Sequence, residues 1–360
     1  MNARALALPL ALAAACAPRF DPRLVDAPVA GRTWVSERHR AHPLVGKIWD
    51  VRAGRFVDEA TLAAELAQAE FVALGETHDN PDHHLLQARL VRAILAAGRR
   101  PALAFEMLTS DQQEAVDAAV ARAPKDPDAL GKAVGWDASG WPEFAVYRPI
   151  FAAGLEAGLP IVAANLRRSE VKAIFSKGRE ALDEGLRARL AREEPIPEPV
   201  MAQLRAEMSA SHCGELPDRM LEPLILAQRA RDARMAERML AAGAARGAIL
   251  VAGSGHARTD RGVPRLLATD APGRKVVSIA FLEVDPERPA PGDYDKGWGE
   301  GPLPFDLVVF TPGTEREDPC ADFKEHLERR RKQREAASAE EGAAPGAASA
   351  APGAAMPPAR

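Results

Sequence analysis

Tyrosine occurs twice in 360 residues, cysteine three times, and aromatic residues together make up only 5% of the chain. So few cysteines exclude a disulfide-dense scaffold, and a chain of this length can bury a sizeable core without one. Charge of one sign is also lacking, the formal net charge being −4. A nucleic-acid binder presents a basic face, so that partner class is disfavoured. Beyond the first sixteen residues no run is apolar and long enough for a membrane-spanning helix. The remainder, 47% hydrophobic and 27% charged, has the composition of a globular domain.

The N-terminus reads as an export signal. Arg4 supplies a basic start, Ala5 to Ala15 is apolar, and Cys16 follows three alanines. Positive, apolar, then small residues is the layout of a secretory leader. Ala13 to Cys16 also resembles the bacterial lipobox, with Ala13 in place of the common leucine and Leu12 beside it. Residues 1–16 are therefore expected to be a signal with Cys16 as the lipidation site. The expected location is the bacterial envelope, lipid-anchored at the outer membrane or in the periplasm. In that oxidising compartment Cys213 and Cys320 are an even pair, either disulfide-bonded or separately reduced.

Residues 17–43 read as an irregular linker, and Lys47–Val51 with Arg55–Val57 as a small hairpin. Short apolar runs then alternate with helical periodicity. The runs are Phe71–Leu74, Ala102–Phe105, Pro160–Ala164, Ala248–Ala252, Val276–Val284 and Leu307–Phe310. This pattern predicts an α/β fold, a mainly parallel sheet with helices on both faces. Residues 169–242 show helical periodicity only and read as a helical insertion over the carboxyl edge of the sheet. Residues 336–360, rich in Ala, Pro, Gly and Glu, read as a disordered tail.

Ligands of open parallel sheets bind at the carboxyl ends of the strands. Those ends carry Glu76 and His78, then Glu106, then Asn165, then His256 and Arg258. Neutral imidazole with carboxylate is a ligand set for a divalent metal, and the same groups can perform acid–base chemistry. His78 and His256 are thus candidate metal ligands, with Glu76 and Glu106 as candidate catalytic bases. Asn80 and Pro81 suit the start of the next helix. His83 and Gln87 fall on that helix's buried stripe with Leu86, Leu90 and Ile94, and His84 on its shoulder. His83 is therefore a candidate cofactor contact or a buried core histidine.

Leu74–Gln87, Phe105–Met107, Trp141–Phe151, Leu159–Leu166, His212 with Cys213, Ala227 to Met235 and Ala252–Arg258 form an ordered set of blocks. The set resembles the ChaN family of the Tiki and erythromycin esterase-like superfamily over residues 44–312. The resemblance implies a lipoprotein that binds haem, is tied to iron uptake, and forms a possible homodimer. It places the superfamily's site on Glu76, His78, Glu106 and His256. It also implies a tyrosine on the haem iron, which makes Tyr147 and Tyr294 candidate donors. The sequence departs from the family at Arg167, where proline is expected, and at Leu307, where tyrosine is frequent.

Three readings follow. The first is an exported haem- or iron-associated binding lipoprotein, supported by the resemblance and the leader. In it the cofactor candidates are His83, Asn165, Arg258, Tyr147 and Tyr294. Met201, Met208, Met220, Met235 and Met239 are then either an adaptable apolar wall or ordinary helix packing. The second is a metal-dependent hydrolase built on the strand-end constellation. The third, a structural envelope protein, leaves that constellation unexplained.

Overall fold

The computed structural model describes residues 23–316 apart from 194 and 300, together with Asp318, Cys320 and Arg329. Cys16, the leader and the 336–360 tail lie outside the described residues. Two compact units are present: of the described residues, one runs to Met208 and from Pro217 to Glu315, and the other comprises Ser209–Leu216 with Arg316, Asp318, Cys320 and Arg329.

The apolar runs form the strands. These are β1 (Ile48–Asp50), β2 (Arg55–Val57), β3 (Phe71–Glu76), β4 (Ala102–Thr109), β5 (Ile161–Asn165), β6 (Ala248–Gly253), β7 (Val276–Glu283) and β8 (Leu307–Thr311). They make one sheet in the order β2-β1-β8-β7-β3-β6-β4-β5. Strands β3 to β8 pair in parallel, whereas the β1–β2 hairpin joins β8 antiparallel. Every residue of β3, β5, β6 and β8 is buried, as a sheet covered on both faces requires.

Alternation along the strands divides the core. Val72, Leu74, Leu103, Phe105, Ile249 and Val251 face the helices Glu59–Gln68, Pro81–Ala96 and Phe144–Glu156. The opposite face is lined by small residues, including Ala102, Ala104, Ala164, Ala248 and Ala252. They admit the long helix Asp218–Ala242, whose own Ala227, Ala230, Ala233 and Ala236 are buried in the same cluster. Small side chains on both partners allow the helix to lie close to the sheet.

The 169–242 segment is helical as expected, comprising Arg168–Lys177, Glu184–Arg192, Glu198–Ala210 and Asp218–Ala242. Four short helices escaped the sequence pattern: Glu59–Gln68, Pro127–Ala133, Val263–Asp270 and, within the stretch read as an irregular linker, Arg23–Asp26. Asn80 caps Pro81–Ala96 by accepting from the Asp82 N–H at 3.0 Å. The irregular stretch before residue 44 contributes Val25, Val29 and Trp34 to the core. Asp82 accepts from its Val35 and Ser36 N–H groups at 3.1 and 2.7 Å.

In the second unit Cys213 and Cys320 form a disulfide with Cα atoms 5.5 Å apart. Cys213 holds φ = 60°, the left-handed region that a non-glycine residue rarely adopts.

Candidate functional site

Four adjacent strands, β3, β6, β4 and β5, bring their carboxyl ends together. Glu76 closes β3, Gly253 closes β6 and Asn165 closes β5. Pairing of β4 with β6 stops at Phe105, so the next residue, Glu106, can turn to the Gly253 N–H, from which its Oε2 accepts at 2.7 Å. His78 and His256 follow β3 and β6 and reach the same place. The sequence-predicted Glu76, His78, Glu106, Asn165 and His256 are therefore gathered at one edge.

Each member has a defined partner. Glu76 Oε1 accepts from the Tyr147 hydroxyl at 2.7 Å and from His78 Nδ1 at 2.9 Å. A carboxylate cannot donate, so the His78 proton sits on Nδ1. His78 Nε2 stands 4.0 Å from Glu106 Oε2, and the His78 side chain is 35% exposed. His84 faces three acceptors: Glu76 Oε2 and Gln87 Oε1 at Nδ1, and the His78 carbonyl at Nε2. His256 lies between Asp232 Oδ1, 2.6 Å from Nδ1, and Glu106 Oε1, 3.3 Å from Nε2. A carboxylate faces each ring nitrogen, which stabilises the imidazolium, and Gln228 Nε2 lies 3.2 Å from Nδ1 and 3.4 Å from Nε2. Arg231 from the Asp218–Ala242 helix also reaches Glu106 Oε1.

The electrostatics agree with this geometry. Burial opposes charge on Glu76, but His84 and the His78 hydrogen bond outweigh it and hold the carboxyl below the usual carboxylate range. Burial likewise opposes charge on Glu106, yet His256 and Arg231 hold its pKa well below normal. Against the same desolvation, Glu106 and Asp232 push His256 up to about 9. His78 and His84 are raised despite burial, by Glu76 in both cases and also by Glu106 for His78. Burial and the Glu76 charge push the Tyr147 hydroxyl far up, so it stays a neutral donor.

Other expected contacts fall elsewhere. His83 is a fully buried core residue: Nδ1 accepts from the Thr77 N–H at 2.9 Å and Nε2 bonds to Thr311 Oγ1 at 2.8 Å. Arg258 is also fully buried, but it turns to Asp260, Glu207 and the Trp298 carbonyl, outside the cluster. Tyr294 accepts from the Asp285 N–H at 2.8 Å and packs on Phe310. Tyr147 is buried beneath Glu76. Neither tyrosine presents its hydroxyl to a cleft, and Leu307 is buried in β8. Met235 and Met239 pack in the core behind the sheet, which is the ordinary role for methionine. Asn165 acts as a clamp, giving Nδ2–H to the Glu106 carbonyl at 2.8 Å and accepting from Arg231 Nε at 3.1 Å.

The metal expectation gains no support. A metal needs free lone pairs, whereas both ring nitrogens of His84 and of His256 face oxygen acceptors of the protein itself. Among the described residues no group of three or more His, Cys, Asp or Glu side chains is arranged to hold an ion.

A cleft of about 710 Å³ opens beside the cluster. Met107, Val134, Trp141, Leu166 and Val171 supply apolar wall, and Glu106, Asn165, Arg168 and Arg231 supply polar groups. The Trp141 ring meets His78 edge-on, with centroids 4.8 Å apart. Arg231 was missed, and Asp232 entered only within the Ala227–Met235 block of the resemblance, without a role, because nothing local gives either one a place in the cluster. They sit on a helix whose role is fixed only when it packs across the sheet.

A computed alignment to ChaN of Campylobacter jejuni, a structure of cofacial haem binding, gives 23% identity and a TM-score of 0.58. It covers 74% of this chain and 97% of that one. Weaker likenesses are to the type III effector HopBA1 and to an erythromycin esterase, EreC, in its open conformation. Their identities are 16% and 14%, each with a TM-score of 0.38. HopBA1 is covered over 71% of this chain and 93% of its own, EreC over 72% and 95%. No curated protein sequence matches the chain. The family described as haem-binding uptake, Tiki superfamily, ChaN matches residues 62–267. That span is more than half of the chain, and the protein belongs to the ChaN family.

Proposed function

We propose that this protein binds haem in the strand-end cleft, with His78 as the nitrogen offered to the iron, and serves haem or iron uptake from the envelope. The observation that carries this reading is the Glu76-tethered, partly exposed His78, whose ring packs on Trp141 of a cleft of ligand size in a ChaN-family chain. A volume of about 710 Å³ lies within the range of small-molecule sites. Glu76 fixes the His78 proton on Nδ1, which leaves the lone pair on Nε2, beside Gly253, the arrangement that orients imidazole ligands of metals. Within the cluster, His78 Nε2 is the ring nitrogen without a hydrogen bond. Bound haem would supply an iron centre open to such an axial donor. Tyrosine does not fit that role here, because both hydroxyls are already engaged inside the fold.

Export and lipid anchoring through Cys16 belong to the same proposal, as does a homodimer. Two features favour export: the leader, and the Cys213–Cys320 disulfide, since such bonds persist in oxidising compartments. An N-terminal lipid on Cys16 is the proposed means of attachment; among the described residues no helix is long and apolar enough to cross a membrane.

Haemin titrated into the purified protein should give a Soret shift that saturates at a fixed stoichiometry; free haemin spectra throughout would overturn the proposal. For the anchor, Cys16→Ser should move the protein from the membrane fraction to the soluble fraction outside the cytoplasm. Unchanged fractionation would refute lipidation.

A further inference from the structure

The cleft carries two guanidinium groups in unlike states. Arg231 is partly exposed, its side chain at 25%, and it is divided between Glu106 Oε1 and Asn165 Oδ1. Arg168 is exposed on the cleft lining and, among the described residues, bonds to the Ser139 carbonyl and has no carboxylate within 4 Å. Two carboxylates line the same space, Glu106 and Asp111. Glu106 is already served by the Gly253 N–H and by His256, whose Nε2 is 3.3 Å away. Glu106 therefore keeps compensation even when Arg231 turns away. Asp111 is exposed to water.

We propose that the cleft reads the carboxylates of its ligand through Arg231 and Arg168. This rests on the haem reading and names the part of the ligand that the protein recognises: the two propionates rather than the porphyrin plane alone. Guanidinium groups suit this role because their planar fork matches a carboxylate bidentately. On binding, Arg231 exchanges one carboxylate partner, Glu106, for another on the ligand, while Asn165 keeps hold of its Nε. The cost of that exchange is small, because His256 and the Gly253 N–H remain on Glu106. Arg168 gains a carboxylate it otherwise lacks. The apolar walls at Met107, Val134, Leu166 and Val171 cover the ring system without discriminating one porphyrin from another.

Haemin and haemin dimethyl ester, which lacks both carboxylates, separate the two contributions. Wild-type protein should bind haemin roughly tenfold or more tightly than the diester, the size expected for charge-assisted hydrogen bonds. An Arg168→Gln/Arg231→Gln variant should bind haemin only as well as it binds the diester. If the double variant is misfolded by circular dichroism, Arg168→Gln alone, on the surface, should still shrink the discrimination. Equal binding of haemin and diester by the wild type would overturn the carboxylate subsite and leave the haem reading standing. Full discrimination retained in Arg168→Gln and in the double variant would also overturn it. If neither porphyrin binds the wild type, the haem reading and the subsite fall together.

Discussion

Glu106 Oε1 and His256 Nε2 lie 3.3 Å apart, and the opposite nitrogen of the same ring is 2.6 Å from Asp232. Two carboxylates thus hold one buried imidazolium. The His256 pKa, raised from 6.5 to about 9, means its contribution is fully present below 6.5 and is lost as pH rises through about 9. Glu106 behaves oppositely: its pKa is depressed from 4.5, so its contribution is present above that value and lost on acidification.

The fold should therefore be most stable between those limits, with His256 contributing on the order of 3 kcal/mol. Thermal midpoints should fall between about pH 7 and about pH 10, and fall much less in His256→Gln, which is already destabilised at neutral pH. A wild-type midpoint flat across that interval would contradict the assignment.

Gln113 completes the free edge of β5. Its Nε2–H donates to the Ile161 carbonyl at 2.9 Å and its Oε1 accepts from the Ala163 N–H at 2.8 Å, so one side chain imitates a neighbouring strand. Arg238 braces it, bonding to Gln113 Oε1 at 2.7 Å and to the Ala163 carbonyl at 3.2 Å. Open strand edges invite pairing between chains. Gln113→Ala should cost about 1–3 kcal/mol in denaturant unfolding and raise aggregation on concentration. A variant as stable and as monodisperse as wild type would show the clamp to be dispensable.

The sheet was legible because its strands are short, apolar and bounded by turn residues. All eight fall on runs that the pattern marks, although β4 extends past Phe105 to Thr109. The strand-end rule also found Glu76, His78, Glu106, Asn165 and His256. It misplaced Arg258 because a residue five beyond a strand end can turn either way; here Asp260 and Trp298 draw it aside. His83 shows the converse limit. Its position on a buried stripe fits a ligand or a core residue equally, and the Thr77 and Thr311 bonds decide for the core. Asp232 and Arg231 depend on the packing of alanine faces between helix and sheet, which no local pattern specifies.

Gly253 and Gly255 look alike in sequence but differ in surroundings. A Cβ on Gly253 would stand 2.9 Å from His78 Nε2, whereas one on Gly255 would meet nothing nearer than Gln228 Nε2 at 3.9 Å. Gly253→Ala should displace His78 and weaken haemin binding roughly tenfold or more, while Gly255→Ala should change it less than about threefold. Equal effects would mean that His78 is not confined by this contact.

The direct test of the account is which side chain serves the haem iron. Haemin should be titrated into wild type, His78→Ala, and a Tyr147→Phe/Tyr294→Phe variant, following the Soret band. The account predicts that His78→Ala shifts the band and weakens binding roughly tenfold or more, while the tyrosine variant stays within about threefold of wild type. Normal haemin binding by His78→Ala, with loss in the tyrosine variant, would contradict it.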